Sequence, residues 1–273
     1  NVQLLANSAF RIWNNESIRS LSLQATGQWD ELLLMVEPVI VNEPYGADIL
    51  GVDYTRSGIN GRITNAFIRY KNDLMSLQFG RSPVWWGQSF NRSIIHTNFA
   101  PAYDQVDLRL NFSRFQLELL AGQLGSELLN GKRIKRNIAG HRLTFLSKDG
   151  KLLAGLGEQI IYTGQNRGIE LHYLNPVVPY FFTALENDEE SSSEGDNDNS
   201  IVFVTIRYVP KPNFSFFSEL IVDDFQVDDN NYQDGLGYKI GADGAINISG
   251  KPVTWALEWT SINSWTYIHI GQF

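Results

Sequence analysis

The stretch "VDLRLNFSRFQLELLAG", residues 106–122, decides the fold. Val106, Leu108, Leu110 and Phe112 alternate with Asp107, Arg109 and Asn111. Beyond the turn Phe112-Ser113-Arg114, the apolar residues Phe115, Leu117, Leu119 and Ala121 alternate with Gln116 and Glu118. Successive side chains of a strand point to opposite faces, so a period of two predicts two strands joined by a tight turn. Each strand then has one apolar and one polar face.

The same pattern recurs on both sides. "LMSLQFG" sets Met75, Leu77 and Phe79 against Ser76 and Gln78, and "VTWALEW" sets Val253, Trp255, Leu257 and Trp259 against Thr254, Ala256 and Glu258. Helical periodicity is confined to a turn or two at Gly122–Asn130 and around Pro179–Glu186. Short turns are expected at Gly27-Gln28, Lys71-Asn72-Asp73, Phe112-Ser113-Arg114, Ser147–Gly150, Pro210-Lys211-Pro212 and Ser249-Gly250-Lys251. Long connections fall between them, at Asn42–Gly58, Arg81–Gln105, Gln123–Arg136, Thr163–Asn199 and Asp223–Asp234. If the strands run up and down, short turns gather at one end and long loops at the other.

That asymmetry, with strands of roughly 9 to 11 residues, predicts an all-β fold: a transmembrane antiparallel up-and-down β-barrel of the outer-membrane type. About a dozen or more strands are expected. Lipid cannot satisfy backbone polar groups, so a spanning sheet must close on itself and turn its charges inward. Arg109, Glu118, Arg142, Glu158, Arg207, Glu219 and Glu258 are then lumen residues able to pair across strands. Trp29, Tyr70, Tyr208 and Trp259 sit where interfacial girdles belong. A soluble β-sandwich or barrel with its apolar face inside has the same alternation, and stands as the alternative. One domain is expected over residues 1–273. The start at "NVQLLANSAFRIW" reads like a mature or trimmed chain. The end at "WTYIHIGQF" fits either a terminal barrel strand closing on Phe273 or a cut with strands lost beyond it.

Composition narrows the function classes. The chain of 273 residues is 43% hydrophobic and 19% charged, with ample material for a buried surface. A net charge of −8 argues against nucleic acid, despite the basic cluster Lys132-Arg133 with Lys135-Arg136. With no cysteine, disulfides, thiolate metal sites and cysteine nucleophiles are excluded. His96, His141, His172 and His269 show no metal-binding spacing, and neither a Walker pattern nor a GxSxG elbow is present. Glu158 with Glu170, or Asp104 with Asp107, would suit glycoside hydrolysis in type, but chance supplies such pairs in an acidic chain. No cofactor is called for.

Two acidic blocks lie in long connections. "LENDEESSSEGDNDNS", residues 185–200, carries seven carboxylates, and "VDDFQVDDNNYQD", residues 222–234, carries five. Solvated surface loops account for both. Asp196 and Asp198 are weak calcium candidates, because "DNDNS" lacks the glycine and terminal glutamate of a calcium loop. Arg142 and Glu158, on strands joined by the Ser147–Gly150 turn, are expected to form a cross-strand ion pair.

Five segments in order, "FGRSPVWWGQS" (79–89), "APAYD" (100–104), "AGHRL" (139–143), "GEQIIYTG" (157–164) and "LHYLNPVVPYFF" (171–182), resemble the Wzi capsule-assembly family of bacterial outer-membrane proteins. The resemblance implies a large outer-membrane barrel acting as a non-catalytic surface lectin for capsular or other exopolysaccharide, in contact with lipid and lipopolysaccharide. This chain is shorter than a complete barrel of that family. Sugar recognition couples aromatic faces with planar polar groups. Trp85, Trp86, Tyr103 and Tyr173 supply the former, and Arg81, Arg92, Gln88, Asn91 and Asn175 the latter. The same residues would serve equally to plug the lumen and hold the loop in place, above all the paired tryptophans. A porin-like channel lined by the same charges is the second reading, and a secreted polysaccharide hydrolase the third. Oligomeric state is left open.

Overall fold

The computed structural model describes residues 1–13, 16–42, 54–56, 59–90, 92–97, 100–165, 167–180, 197–223, 235–264 and 266. The chain divides into two compact units, Asn1–Val84 with Asn98–Leu108, and Trp85–Thr97 with Arg109–Phe273. The first unit holds β1 (Val2–Trp13), β2 (Glu16–Trp29), β3 (Leu32–Asn42), β4 (Tyr54–Arg56), β5 (Ile59–Lys71), β6 (Met75–Ser82) and the start of β7 (Tyr103–Phe112). The second holds the rest of β7, then β8 (Phe115–Leu129), β9 (Lys132–Leu146), β10 (Leu152–Gly164), β11 (Asn197–Lys211), β12 (Phe214–Asp223), β13 (Gly235–Ile248) and β14 (Lys251–Ile262). A single 3-10 turn, Leu171–Leu174, interrupts the strands among the described residues. Strand order follows the sequence, with the short β4 set beside β5 off the main path. The up-and-down antiparallel fold expected from the alternation is the one observed.

Burial separates the membrane fold from the soluble one. In the second unit Leu143, Leu156, Ile206, Leu220 and Leu257 are exposed, whereas Glu118, Thr205, Glu219 and Lys239 are buried. In the first, Leu34, Val36, Ile68, Leu77 and Phe79 are exposed while Asn60 and Gln78 are buried. A soluble sandwich would bury the first set, because each exposed large side chain forfeits about 1.5–3 kcal/mol in water. Facing lipid, that surface carries no such penalty. Trp29, Tyr70, Tyr208 and Trp259 are all exposed, as interfacial residues are.

Several boundaries differ from expectation. The long connection at Gln123–Arg136, and the helical turn at Gly122–Asn130, are instead the upper part of the β8–β9 hairpin, closed by Asn130-Gly131. Both residues have positive φ, the requirement of a two-residue hairpin turn, and Asn-Gly is its strongest sequence signal. Gly27-Gln28 is not a turn either. Strand β2 runs on to Trp29, and a Cβ on Gly27 would lie 2.6 Å from the Trp29 ring, so the glycine makes room for an aromatic. Strand β11 continues through Lys211 past a register shift after Tyr208, moving that turn to Pro212-Asn213. Of "WTYIHIGQF" only Thr266 is among the described residues, and of Pro179–Glu186 only Pro179 and Tyr180.

Candidate functional site

The first unit carries two of the expected binding residues. Arg81 donates to Asp104 through Nε at 3.1 Å and Nη2 at 2.8 Å, in a pair open to solvent on the aspartate side. Tyr103 is buried. Beside them Gln105 donates to the Ser82 carbonyl and hydroxyl oxygens at 3.0 and 2.7 Å, and Arg62 donates to the Ala102 carbonyl. Within this unit the end of β6 is thus stitched to the start of β7.

Residues 85–90 and 92–97, which hold the tryptophan pair, lie on the polar face of the second unit. Trp86 is fully buried. Its indole N–H donates to Glu118 Oε1 at 2.8 Å, and its ring packs on Phe203 with centroids 5.7 Å apart. A Cβ on Gly140 would sit 2.5 Å from that ring, so the "AGHRL" glycine clears the space the indole fills. Glu118 is itself buried and takes Arg109 at 3.1 Å on Oε1 and Arg142 at 2.7 Å on Oε2. The Arg142 guanidinium also lies 5.3 Å from the Trp86 ring centroid, within cation–π range.

Four more strand residues hold the backbone of this loop. Glu219, wholly buried, accepts N–H bonds from Gln88 at 2.6 Å, Ser89 at 2.8 Å and Ile94 at 2.9 Å, and the Ser93 hydroxyl at 3.0 Å. Glu258 accepts the Phe90 N–H at 2.9 Å. Arg207 donates to the Gln88 carbonyl at 2.7 Å and is braced by Asp243 at 2.6 Å and Ser215 at 2.7 Å. Lys239 donates to the Arg92 carbonyl and stands 3.6 Å from Glu258. A buried carboxylate is tolerable only with its lone pairs filled, and here loop amides fill them. His96, bridged to Trp86 through its carbonyl at 3.1 Å, is held near pKa 4 by burial, which outweighs the Gln159 bond and the Glu118 charge. Where Ser89 and Phe90 meet Arg207, Ser215, Asp243 and Trp255, a cavity of about 570 Å³ remains.

Residues 167–180 occupy the other face. The register pairs Glu158 with His141 and Gly157 with Arg142, so Glu158 and Arg142 project from opposite sides of the sheet. The expected Arg142–Glu158 ion pair is therefore absent. Arg142 goes to Glu118, its partner across β8–β9, and Glu158, expected in the lumen, instead accepts the Tyr180 N–H at 2.6 Å on the apolar side. Ala139, Ile160, Tyr162, Tyr173 and Tyr180 form a buried cluster there. Arg167 binds Glu170 at 2.7 Å and also Asp198, which accepts the Tyr173 hydroxyl as well. Asp198 is thus spent on an arginine and a tyrosine, while Asp196 lies outside the described residues.

Of the proposed sugar ligands, Trp86 and Tyr173 are buried, and Trp85 and Gln88 are partly covered. Arg92 and Asn175 are exposed, and Asn175 caps a turn through Val177 N–H at 3.1 Å. Asn91 lies outside the described residues. Sequence reasoning put Glu219 and Glu258 among cross-strand charges and missed that they hold loop amides, because nothing local marks a carboxylate whose partner is backbone more than a hundred residues away.

No curated protein matches the chain by sequence. Among solved structures it is similar to Wzi of Escherichia coli, described as an outer membrane protein involved in group 1 capsule assembly and a carbohydrate-binding β-barrel. The two are 16% identical with a TM-score of 0.65, over 98% of this chain and 59% of that one. This chain therefore spans about three-fifths of the length of that relative. OprB of Pseudomonas putida is 13% identical with a TM-score of 0.51, over 96% of this chain and 74% of that one. Likeness at such identities speaks for the fold. The family model of capsule assembly protein Wzi matches residues 3–261. With that match running through nearly every strand, the chain belongs to the capsule assembly protein Wzi family and is an outer-membrane β-barrel protein.

Proposed function

We propose that this protein binds capsular or other surface polysaccharide from the outer membrane, as one barrel domain over residues 1–273, and catalyses no reaction on it. Family membership supports the polysaccharide. The observation favouring binding over conduction is the Glu219 latch, which fixes loop residues 88–94 on the polar face where a channel would keep its water path. Non-catalysis draws support from the carboxylates themselves. Glu170 and Asp104 are engaged by arginines, and Glu158 accepts a backbone N–H. Trp85, Gln88, Asn91 and Arg92 in the second unit, positioned by Trp86, are the ligand candidates, and Arg81 beside the buried Tyr103 is the candidate in the first; Tyr173 and Asn175 lie on the opposite face and drop out of the set. The barrel's lipid partners are phospholipid and lipopolysaccharide.

The test is retention of the purified full-length protein on immobilised capsular polysaccharide. Binding weakened at least about tenfold by Trp85→Ala with Arg92→Ala supports the reading, since a stacking contact and a charged hydrogen bond together exceed about 1.4 kcal/mol. No retention on any capsular or exopolysaccharide, with stepwise single-channel currents in planar bilayers, would replace it with the channel.

A further inference from the structure

On β9 and β10 the lipid-facing band stops early. Reading up from the Ser147–Gly150 turn, the exposed apolar side chains end at Leu143 and Leu156. The next residues on that face are His141 and Glu158, followed beyond Ala139 and Ile160 by Asn137, Tyr162 and Asp198. From Leu152 to Leu156 a strand rises about 13 Å, or about 10 Å along the membrane normal at a tilt near 40°. The apolar band of an outer-membrane barrel is about 25 Å tall. Polar side chains therefore occupy a height at which the face should meet hydrocarbon.

Residues 167–180 cover that gap, and their own polarity is reversed. Arg167, Glu170, Tyr173 and Tyr180 turn inward onto Asp198, Glu158 and the aromatic cluster. Ile169, Leu171, Val177 and Val178 turn outward, with Leu171 80% and Val177 83% exposed, and His172 and Asn175 are the polar side chains exposed beside them. A loop bathed in water would do the opposite, because four outward aliphatic side chains gain nothing from solvent.

We propose that residues 167–180 are a lipid-facing cladding, which seals the polar upper part of β9–β11 and presents Ile169, Leu171, Val177 and Val178 to the acyl chains of the outer leaflet. Continuity assigns the occupant: the patch lies directly above Leu156 and Leu143 on the face that already meets lipid. A protein partner would need no such continuity.

The chain has no cysteine, so single-cysteine spin labels report cleanly. Leu171→Cys and Val177→Cys, each labelled with a nitroxide in the full-length protein, would be reconstituted in vesicles of phosphatidylethanolamine and phosphatidylglycerol. Leu156→Cys serves as the lipid-facing reference and Lys148→Cys, in an exposed short turn, as the aqueous one. Heat-modifiable gel mobility checks that each variant is folded. The expected result is a ratio of oxygen to nickel-chelate collisions several-fold above that of the Lys148 label and close to that of the Leu156 label, at both positions. A ratio matching the Lys148 label would overturn the proposal. So would spin–spin broadening at Leu171 or Val177 that disappears on dilution with unlabelled protein, since a second copy would then cover the patch.

Discussion

Residues 85–97 and residues 167–180 both fold back on strands of the same unit, on opposite faces and by opposite means. The first segment is held by strand carboxylates: Glu118 grips an indole, Glu219 takes four donors and Glu258 one. The second is held by rings, with Tyr162, Tyr173 and Tyr180 packed around Ile160, and its ionic contacts are brought by its own Arg167. A polar face offers charged anchors, so a loop docks there by offering backbone N–H groups. The apolar face offers only a few, Glu158 and Asp198 among them, so a segment that docks there carries an aromatic underside and its own arginine to meet them. The contrast predicts that the two segments respond separately to mutation and to pH.

The largest separation is expected from Trp86→Ala. Removing a fully buried tryptophan costs about 3–5 kcal/mol, here with an added loss at Glu118, whose indole partner goes. Amide exchange at Gln88, Ser89 and Ile94 should quicken by about two orders of magnitude or more, while residues 167–180 keep their protection. Equal acceleration in both segments would show that they form one cooperative body.

Acidification should act next, again on the first segment. His96 is neutral in its docked position with a pKa near 4, against 6.5 when undocked. The undocked form therefore takes up its proton first, so docking is at full strength above pH 6.5 and weakens as pH falls from 6.5 towards 4. The groups facing His96 are Gln159, Glu118 and Arg142. Each tenfold weakening of proton affinity corresponds to about 1.4 kcal/mol, so the loss of docking amounts to about 3 kcal/mol at most. Proteolytic protection of residues 85–97 should fall across that window in wild type, and His96→Gln should flatten the profile. A wild-type profile that is level from pH 7 to pH 4 would break the assignment.

Legibility in the sequence differs between the two faces. The alternation in residues 106–122 carries the strands, their two faces and the up-and-down order, because period two is a local property of the chain. The Asn130-Gly131 hairpin is equally local, yet it is easily passed over, since the exposed run around it has little apolar contrast to set strand against loop. What the sequence withholds is parity across strands. Arg142 and Glu158 look like partners until the register sets Arg142 opposite Gly157, after which each side chain belongs to a different face. The Glu219 latch is invisible for a related reason: its acceptor is one side chain, but its donors are backbone groups that any residue would supply. Tyr173 suggests a sugar platform on its type alone, and only the fold reveals that its ring is buried and its hydroxyl committed.

Glu219→Gln probes the carboxylate latch with less disruption. The amide keeps one acceptor oxygen but brings an NH2 group against donors, and hydrogen bonds to a charged acceptor are worth about 1.5–3 kcal/mol. A loss of about 2 kcal/mol is expected in the docking of residues 88–94, read as roughly thirtyfold faster exchange of their amides. Exchange at Tyr180, held by Glu158 on the other face, should stay within about a factor of two.

The smallest effect, and the complementary one, is expected from Tyr173→Phe. The ring stays in the aromatic cluster, where it lies 4.8 Å from Tyr162 and 5.6 Å from Tyr180, so packing is retained. The hydroxyl bond to Asp198 is lost, and Asp198 keeps Arg167 as its charge partner. A cost of about 1.5 kcal/mol follows, near the lower end for a bond to a charged group. It should appear as about tenfold faster exchange at Glu170 and Tyr180, with Gln88, Ser89 and Ile94 unchanged. If the loop amides on the polar face respond as strongly, then docking on one face is transmitted through the sheet to the other, and the two segments are halves of one device.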